Sequence, residues 1–153
     1  MAEPDQRTVA DLFQRDHEEV VRLLEGLGPA SSDGPALARA ERFSRRLERH
    51  MAWEEEVLFP ALGRADPRLE RDGLPALRAE HARLRGLCAA LLGRLRRDSP
   101  GAEALVSELR ALLSDHASRE YSLVQPQSDG VLSAADVGRI LAAVAVSISF
   151  GTL

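Results

Sequence analysis

The chain has 153 residues, 44% of them hydrophobic and 29% charged, with a net charge of −4. That length and balance describe one ordinary globular domain with a real core, and exclude a disordered chain. The acidic balance argues against nucleic acid or an anionic membrane as a main partner, and the single cysteine, Cys88, excludes an internal disulfide framework.

The elements read as helices throughout. A first helix starts near Thr8, whose T-x-x-D run to Asp11 resembles a capping box. Its apolar stripe is Val9, Leu12, Phe13, His17, Val20, Leu24 and Leu27, ended by Gly26 and Gly28-Pro29. Residues 29–35 are loop. A second helix runs from about Pro35, at the first helical position, to about Leu62. Phe43, Leu47, His50, Glu54 and Val57 or Leu58 mark its inner face, and Pro60 is expected to kink or end it. Residues 63–72 carry loop chemistry. The third helix begins near Leu74-Pro75 and turns Leu77, His81, Leu84, Cys88, Leu91 and Leu95 inward. Asp98-Ser-Pro-Gly101 breaks the chain, with Ser99-Pro100 as cap and first residue of a fourth helix. That helix carries Leu105, Leu109, Leu112, His116, Glu120 and Leu123 or Val124 on one stripe. Four amphipathic helices joined by short loops predict an all-α, up-down-up-down four-helix bundle.

A duplicated frame runs through these helices. His50-x3-Glu54 with Pro60 ten residues after the histidine recurs as His116-x3-Glu120 with Pro126. Asp16-His17 stands 33 residues before His50, and Glu80-His81 stands 35 before His116, so the frame uses all four histidines of the chain. Residues four apart share one helix face, so each imidazole and carboxylate can close on one metal, or the carboxylate can bridge two. Such donors suit iron, zinc, copper, nickel or manganese. Aligned on their first histidines, the hairpins 7–60 and 73–126 match Val20 with Leu84, Leu23 with Leu87 and Leu27 with Leu91. Antiparallel packing would bring the four histidines to one level of a leucine-rich core, where polar groups need compensation.

Over residues 7–126 this frame resembles the hemerythrin-like, HHE cation-binding family. The residues that carry the resemblance are Asp16-His17, His50-x3-Glu54-Glu55-x2-Leu58-Phe59-Pro60, Glu80-His81 and His116-x3-Glu120. The resemblance implies a bundle holding a non-haem di-iron centre: two iron ions joined by an oxo or hydroxo bridge. His17 and His50 would bind one iron, His81 and His116 the other, and Glu54 and Glu120 would bridge them. The chain departs from the oxygen carriers at Arg85, where they place a further histidine; each iron then keeps an open position that water, O2, peroxide or NO can take. Arg85 itself would occupy or gate that space. Tyr121-Ser-Leu-Val-Gln125 replaces the second Glu-x2-Leu-Phe run. Of the acids beside the histidines, Asp16, Glu80 and Asp115 either orient imidazole N–H groups or face solvent; helical geometry favours solvent. Glu18, Glu19 and Glu56 read as surface charge, Trp53 and Phe59 as site walls or core, and Tyr121 as pointing away from His116. Cys88 reads as a small buried hydrophobe.

The leading function is a di-iron protein binding or turning over O2, peroxide or NO, with enzymatic activity left open. The second is an iron store, buffer or sensor, and the third a metal-free structural bundle. No leader-like run opens the chain, which favours the cytoplasm. Residues 127–153 form a separate tail, with a capping-box start at Ser133-Ala-Ala-Asp136 and a fifth helix bearing Val137, Ile140, Leu141, Val144 and Ile148. Its last six residues, Ile148-Ser-Phe-Gly-Thr-Leu153, resemble the targeting peptides of encapsulin cargo, a class that includes hemerythrin-like proteins. The competing expectation is that this tail packs on the bundle or on a twin subunit as a homodimer.

Overall fold

A computed structural model describes residues 9–28 and 34–124, with isolated positions 135, 138, 139 and 142. The described residues form helices α1 (Val9–Glu25), α2 (Ala36–Trp53), α3 (Phe59–Ala65), α4 (Leu69–Asp72), α5 (Leu74–Arg96) and α6 (Ala102–Val124), with no strand among them. The four long ones, α1, α2, α5 and α6, form the expected up-down-up-down bundle. In it α1 packs on α2 and α6, and α5 packs on the same two. The capping run at Thr8, the fifth stripe and the peptide from Ile148 to Leu153 lie outside the described residues, as do the side chains of Val9, Leu12 and Phe13.

Four local expectations change. Pro60 does not end the helical run, which continues past it to Ala65. Between α2 and α3 the backbone opens into one π-helical turn, Glu54–Leu58, in which the Phe59 N–H reaches the Glu54 carbonyl. Proline has no N–H to give the carbonyl four residues back and its ring crowds that carbonyl, and the wider turn accommodates both. The stretch 63–72 is largely helical, because α3 continues to Ala65 and α4 follows after Asp66. The fourth helix starts at Ala102, not Pro100. Asp98 at φ 49° and Gly101 at φ 101° turn the chain through left-handed conformations, and the Arg94 guanidinium donates to the Pro100 carbonyl at 2.6 Å. Pro35 is the N-cap of α2, extended at ψ 144°, one position earlier than expected.

The core divides into two apolar layers. One holds Val20, Leu24, Phe43, Leu47, Leu84, Cys88, Leu91, Leu109 and Leu113; the other holds Trp53, Leu58, Phe59, Leu62, Leu74, Leu77 and Val124. Along α2 and the π turn that follows it the order is Phe43 and Leu47, then His50 and Glu54, then Leu58; α5 reads the same sequence of layers in reverse, from Leu74 and Leu77 through His81 to Leu84. A polar layer is therefore enclosed between two greasy ones. The hairpin alignment is visible in burial: Val20 and Leu84 are fully buried, and Leu23 and Leu87 both pack partly buried against the core.

Candidate metal centre

Glu54, His81, His116, Glu120 and His50 are buried to 1% exposure or less, and the His17 side chain is 14% exposed. The i, i+4 spacing does its expected work, with His50 Nε2 at 2.7 Å from Glu54 Oε1 and His116 Nε2 at 3.2 Å from Glu120 Oε2. Packing of the hairpins does the rest. The Nε2 atoms of His17 and His50 are 3.2 Å apart, and those of His81 and His116 are also 3.2 Å apart. Glu54 lies between the two pairs, since its other oxygen, Oε2, is 2.9 Å from His81 Nε2. Glu120 Oε2 faces His116 and also His17, at 3.5 Å. One ligand atom each from His17, Glu54, His116 and Glu120 lies within 4.8 Å of all the others.

The outer nitrogens decide what the inner ones can do. His50 Nδ1 meets Asp16 Oδ2, His81 Nδ1 is 2.8 Å from Glu55 Oε1, and His116 Nδ1 is 2.9 Å from Glu80 Oε2. A carboxylate on Nδ1 holds the proton there and leaves Nε2 as the lone-pair donor. Three rings thus aim lone pairs inward at carboxylates that also only accept. Not one of the four oxygens of Glu54 and Glu120 has a hydrogen-bond partner of proper geometry. Buried acceptors facing acceptors call for a cation. Two nitrogens at right angles on one metal, each about 2.1 Å from it, would stand about 3 Å apart, close to the spacing of both pairs. The donor set fits a pair of nitrogen- and oxygen-loving metal ions.

Titration follows the same logic in the metal-free chain, where protons take the metal's role. For His50, burial opposes protonation but Glu54 and Asp16 outweigh it and raise the imidazole well above its usual range. For His116, burial is likewise outweighed, here by Glu120 and Glu54, and its pKa rises to about 9. Burial, then the charge of Glu54, pushes Glu120 up to about 8. Burial and neighbouring His50 bring His17 down to about 4. Burial works against the ionised form of Glu54, yet the surrounding imidazoles hold its carboxyl well below the usual range.

A family model of the hemerythrin HHE cation-binding domain matches residues 8–128. The chain belongs to that family. No curated protein and no solved structure matches it. The matched stretch contains all six positions read from the sequence as metal donors, and the residues around them differ from expectation. Asp16 and Glu80 do support imidazoles, though each serves the histidine of the neighbouring helix and not the one beside it. Asp115 is exposed. Arg85 does not face the inner nitrogens. Its guanidinium pairs with Glu48 at 2.9 Å and with Glu55 at 2.9 Å, on the Nδ1 side of His81. Trp53 and Phe59 are both wall and core, stacked on His50 and His81 with ring centroids 6.1 and 5.4 Å apart. Glu18 and Glu56 are exposed and Glu19 pairs with Arg22, as surface charge should. Tyr121 is exposed as expected, and with His17 it lines a groove of about 490 Å³ between α1 and α6.

Sequence reasoning missed Arg46 and Arg119, and it named Glu55 as part of the family frame without a role. Arg46 is buried with Asp16, and Arg119 pairs with Glu80. The signal for Arg46 was its position one turn before His50, on the same helix face. The contact of Glu55 with His81 had no such signal, because consecutive helical residues point about 100° apart. The π turn lets two adjacent glutamates reach the two nitrogens of one ring.

Proposed function

We propose that the chain holds a pair of iron ions between its two hairpins and uses them to bind or turn over small oxidants: O2, peroxide or NO. The observation that carries this reading is Glu54, whose two oxygens stand 2.7 and 2.9 Å from histidines of different pairs. His17 and His50 would hold one iron, His81 and His116 the other, and Glu54 and Glu120 would span both. Once bound, the iron pair supplies Lewis acidity and electrons for a small oxidant. The protein's own contribution is to hold the ring protons on Nδ1 through Asp16, Glu55 and Glu80, and to keep bulk water out with Trp53, Phe59 and the two leucine-rich layers. The α1/α6 groove is lined by His17 and Glu120, and its volume of about 490 Å³ exceeds that of a diatomic or peroxide.

A second reading, an iron buffer, store or sensor, draws on the partial exposure of His17, which gives a metal a way in and out. Metal analysis after aerobic purification should find two irons per chain, and azide or peroxide should produce a new absorption band. Absence of iron, with no band on adding it, would overturn both readings. Peroxide consumption without iron release favours turnover; iron release on oxidation favours the buffer.

A cytoplasmic location and a homodimer or encapsulin shell as partner through Ile148–Leu153 belong to this proposal and rest on the sequence. No helix among the described residues is long and apolar enough to cross a membrane. Deleting Ile148–Leu153 should abolish co-purification with a shell protein while leaving the iron content intact. A drop in stability instead would favour packing on the bundle or a twin subunit.

A further inference from the structure

We propose that Arg85 and Glu55 are positioning residues that fix His81 from outside the metal centre, so that the metal held by His81 and His116 depends on an ion pair at the protein surface. The inference rests on the metal reading above and concerns residues that never touch the metal.

One oxygen carries the connection. Glu55 Oε1 accepts from His81 Nδ1 at 2.8 Å and from Arg85 Nη1 at 2.9 Å, and Oε2 takes Arg85 Nη2 at 3.1 Å. The other edge of the guanidinium donates to Glu48, from Nε at 2.9 Å and from Nη2 at 3.0 Å. Glu48 lies on α2, Glu55 on the π turn that follows it, and Arg85 on α5, one turn past His81. The planar five-donor fork therefore ties two carboxylates of one element to the helix that carries the ligand, which a point charge on a flexible stem does poorly. His81 is fully buried, with Phe59 stacked on its ring, so Glu55 sets the hydrogen-bonded orientation of its Nδ1 edge. Without Arg85, a carboxylate that is partly exposed is free to turn toward water. The imidazole then loses both its orientation and the anionic acceptor that makes Nε2 a stronger donor.

The other two relays are built differently. Asp16 and Arg46 behind His50 are both buried, and Glu80 and Arg119 behind His116 join two adjacent helices of one hairpin. Only the Arg85 fork, among these three, crosses from one hairpin to the other. The Arg85 side chain is 36% exposed, and ion pairs within reach of solvent contribute little to fold stability. Its removal should therefore register at the metal and not in folding.

Cobalt(II) titration followed by absorption tests this without any activity. The wild-type chain should take up two cobalt ions. Arg85→Ala should keep one site unchanged and weaken the other by about 10–100-fold, with an altered cobalt band, and its metal-free melting midpoint should stay near wild type. Arg85→Lys should recover part of the lost affinity, and Glu55→Gln should give the same split as Arg85→Ala. Arg96→Ala, which removes a surface pair with Glu41, should change nothing. If Arg85→Ala does not fold, Glu55→Gln carries the test alone. Wild-type binding of two ions, with both Arg85→Ala and Glu55→Gln binding identically to it, overturns the relay alone. Uptake of fewer than two ions by the wild type overturns the metal reading, and the relay with it.

Discussion

The two hairpins present the same candidate ligands in the same register and support them differently. In both, a histidine on the first helix faces a histidine on the second, and an acid just before the first histidine serves the second: Asp16 for His50, Glu80 for His116. Beyond that shared plan they diverge. The first hairpin follows its glutamate with a π turn that delivers Glu55 to His81, whereas α6 runs straight on and carries the exposed Tyr121 at the matching position. His81 ends up sealed under Phe59, and His17 borders a groove. Duplication sets where the donors stand, and the residues one shell out make the two halves chemically unequal.

Removing a shared glutamate should break the comparison most severely. Glu54→Ala takes away the group that touches both pairs, and Glu120→Ala removes its counterpart; either should abolish the paired site, read as metal content per chain. Retention of two irons with an unchanged spectrum would refute the spanning role.

Phe59→Ala strips the wall that belongs to one half only. A fully buried phenylalanine reduced to alanine costs about 3–5 kcal/mol, which should appear in denaturant unfolding of the metal-free protein. In the proposed iron-loaded protein, the metal assigned to His81 should also become the more easily chelated of the two. Equal chelation rates for both irons would contradict an asymmetry between the two halves.

Titration sharpens the comparison next. In the metal-free chain His116 is raised from 6.5 to about 9 and Glu120 from 4.5 to about 8. Each therefore holds a proton in the fold that the unfolded chain releases at lower pH. The stability from His116 is full below about 6.5 and is lost as pH rises through 9, and Glu120 contributes a loss of the same sign from 4.5 toward 8. Metal binding displaces these protons, so affinity should rise over that window. Melting of metal-free and loaded protein at pH 6.5 and 9 should show the gap between them widening; each kcal/mol is about 2–4 °C at this chain length. A metal-free midpoint that held steady would contradict the buried protons.

Tyr121→Glu should have the smallest effect, since it gives the second hairpin the residue type of the first at an exposed position. Stability should stay within about 0.5 kcal/mol, and iron content should not change. A large rise in affinity would mean that the missing π turn matters less than the missing carboxylate.

The convergence of the four histidines and two glutamates was legible in the sequence because an i, i+4 pair shares a face in any α-helix, and because repetition of the frame fixes how two hairpins meet. The bundle was legible for the same reason: apolar stripes at helical period, cut by Gly28 and by Asp98–Gly101, leave few other ways to bury so many leucines. Tertiary structure alone decided the outer layer. Asp16 looked solvated on its own helix, and only the approach of α2 turned it into the partner of His50 and Arg46. Arg85 read as a residue facing the open site, yet Glu48 and Glu55 draw its guanidinium to the other edge of His81. Pro60 signalled a break, and the chain answered with a wider turn that no period of 3.6 encodes. Local spacing determines which side chains leave a helix on the same face; what each of them then meets depends on the neighbouring helix, and that is a property of packing.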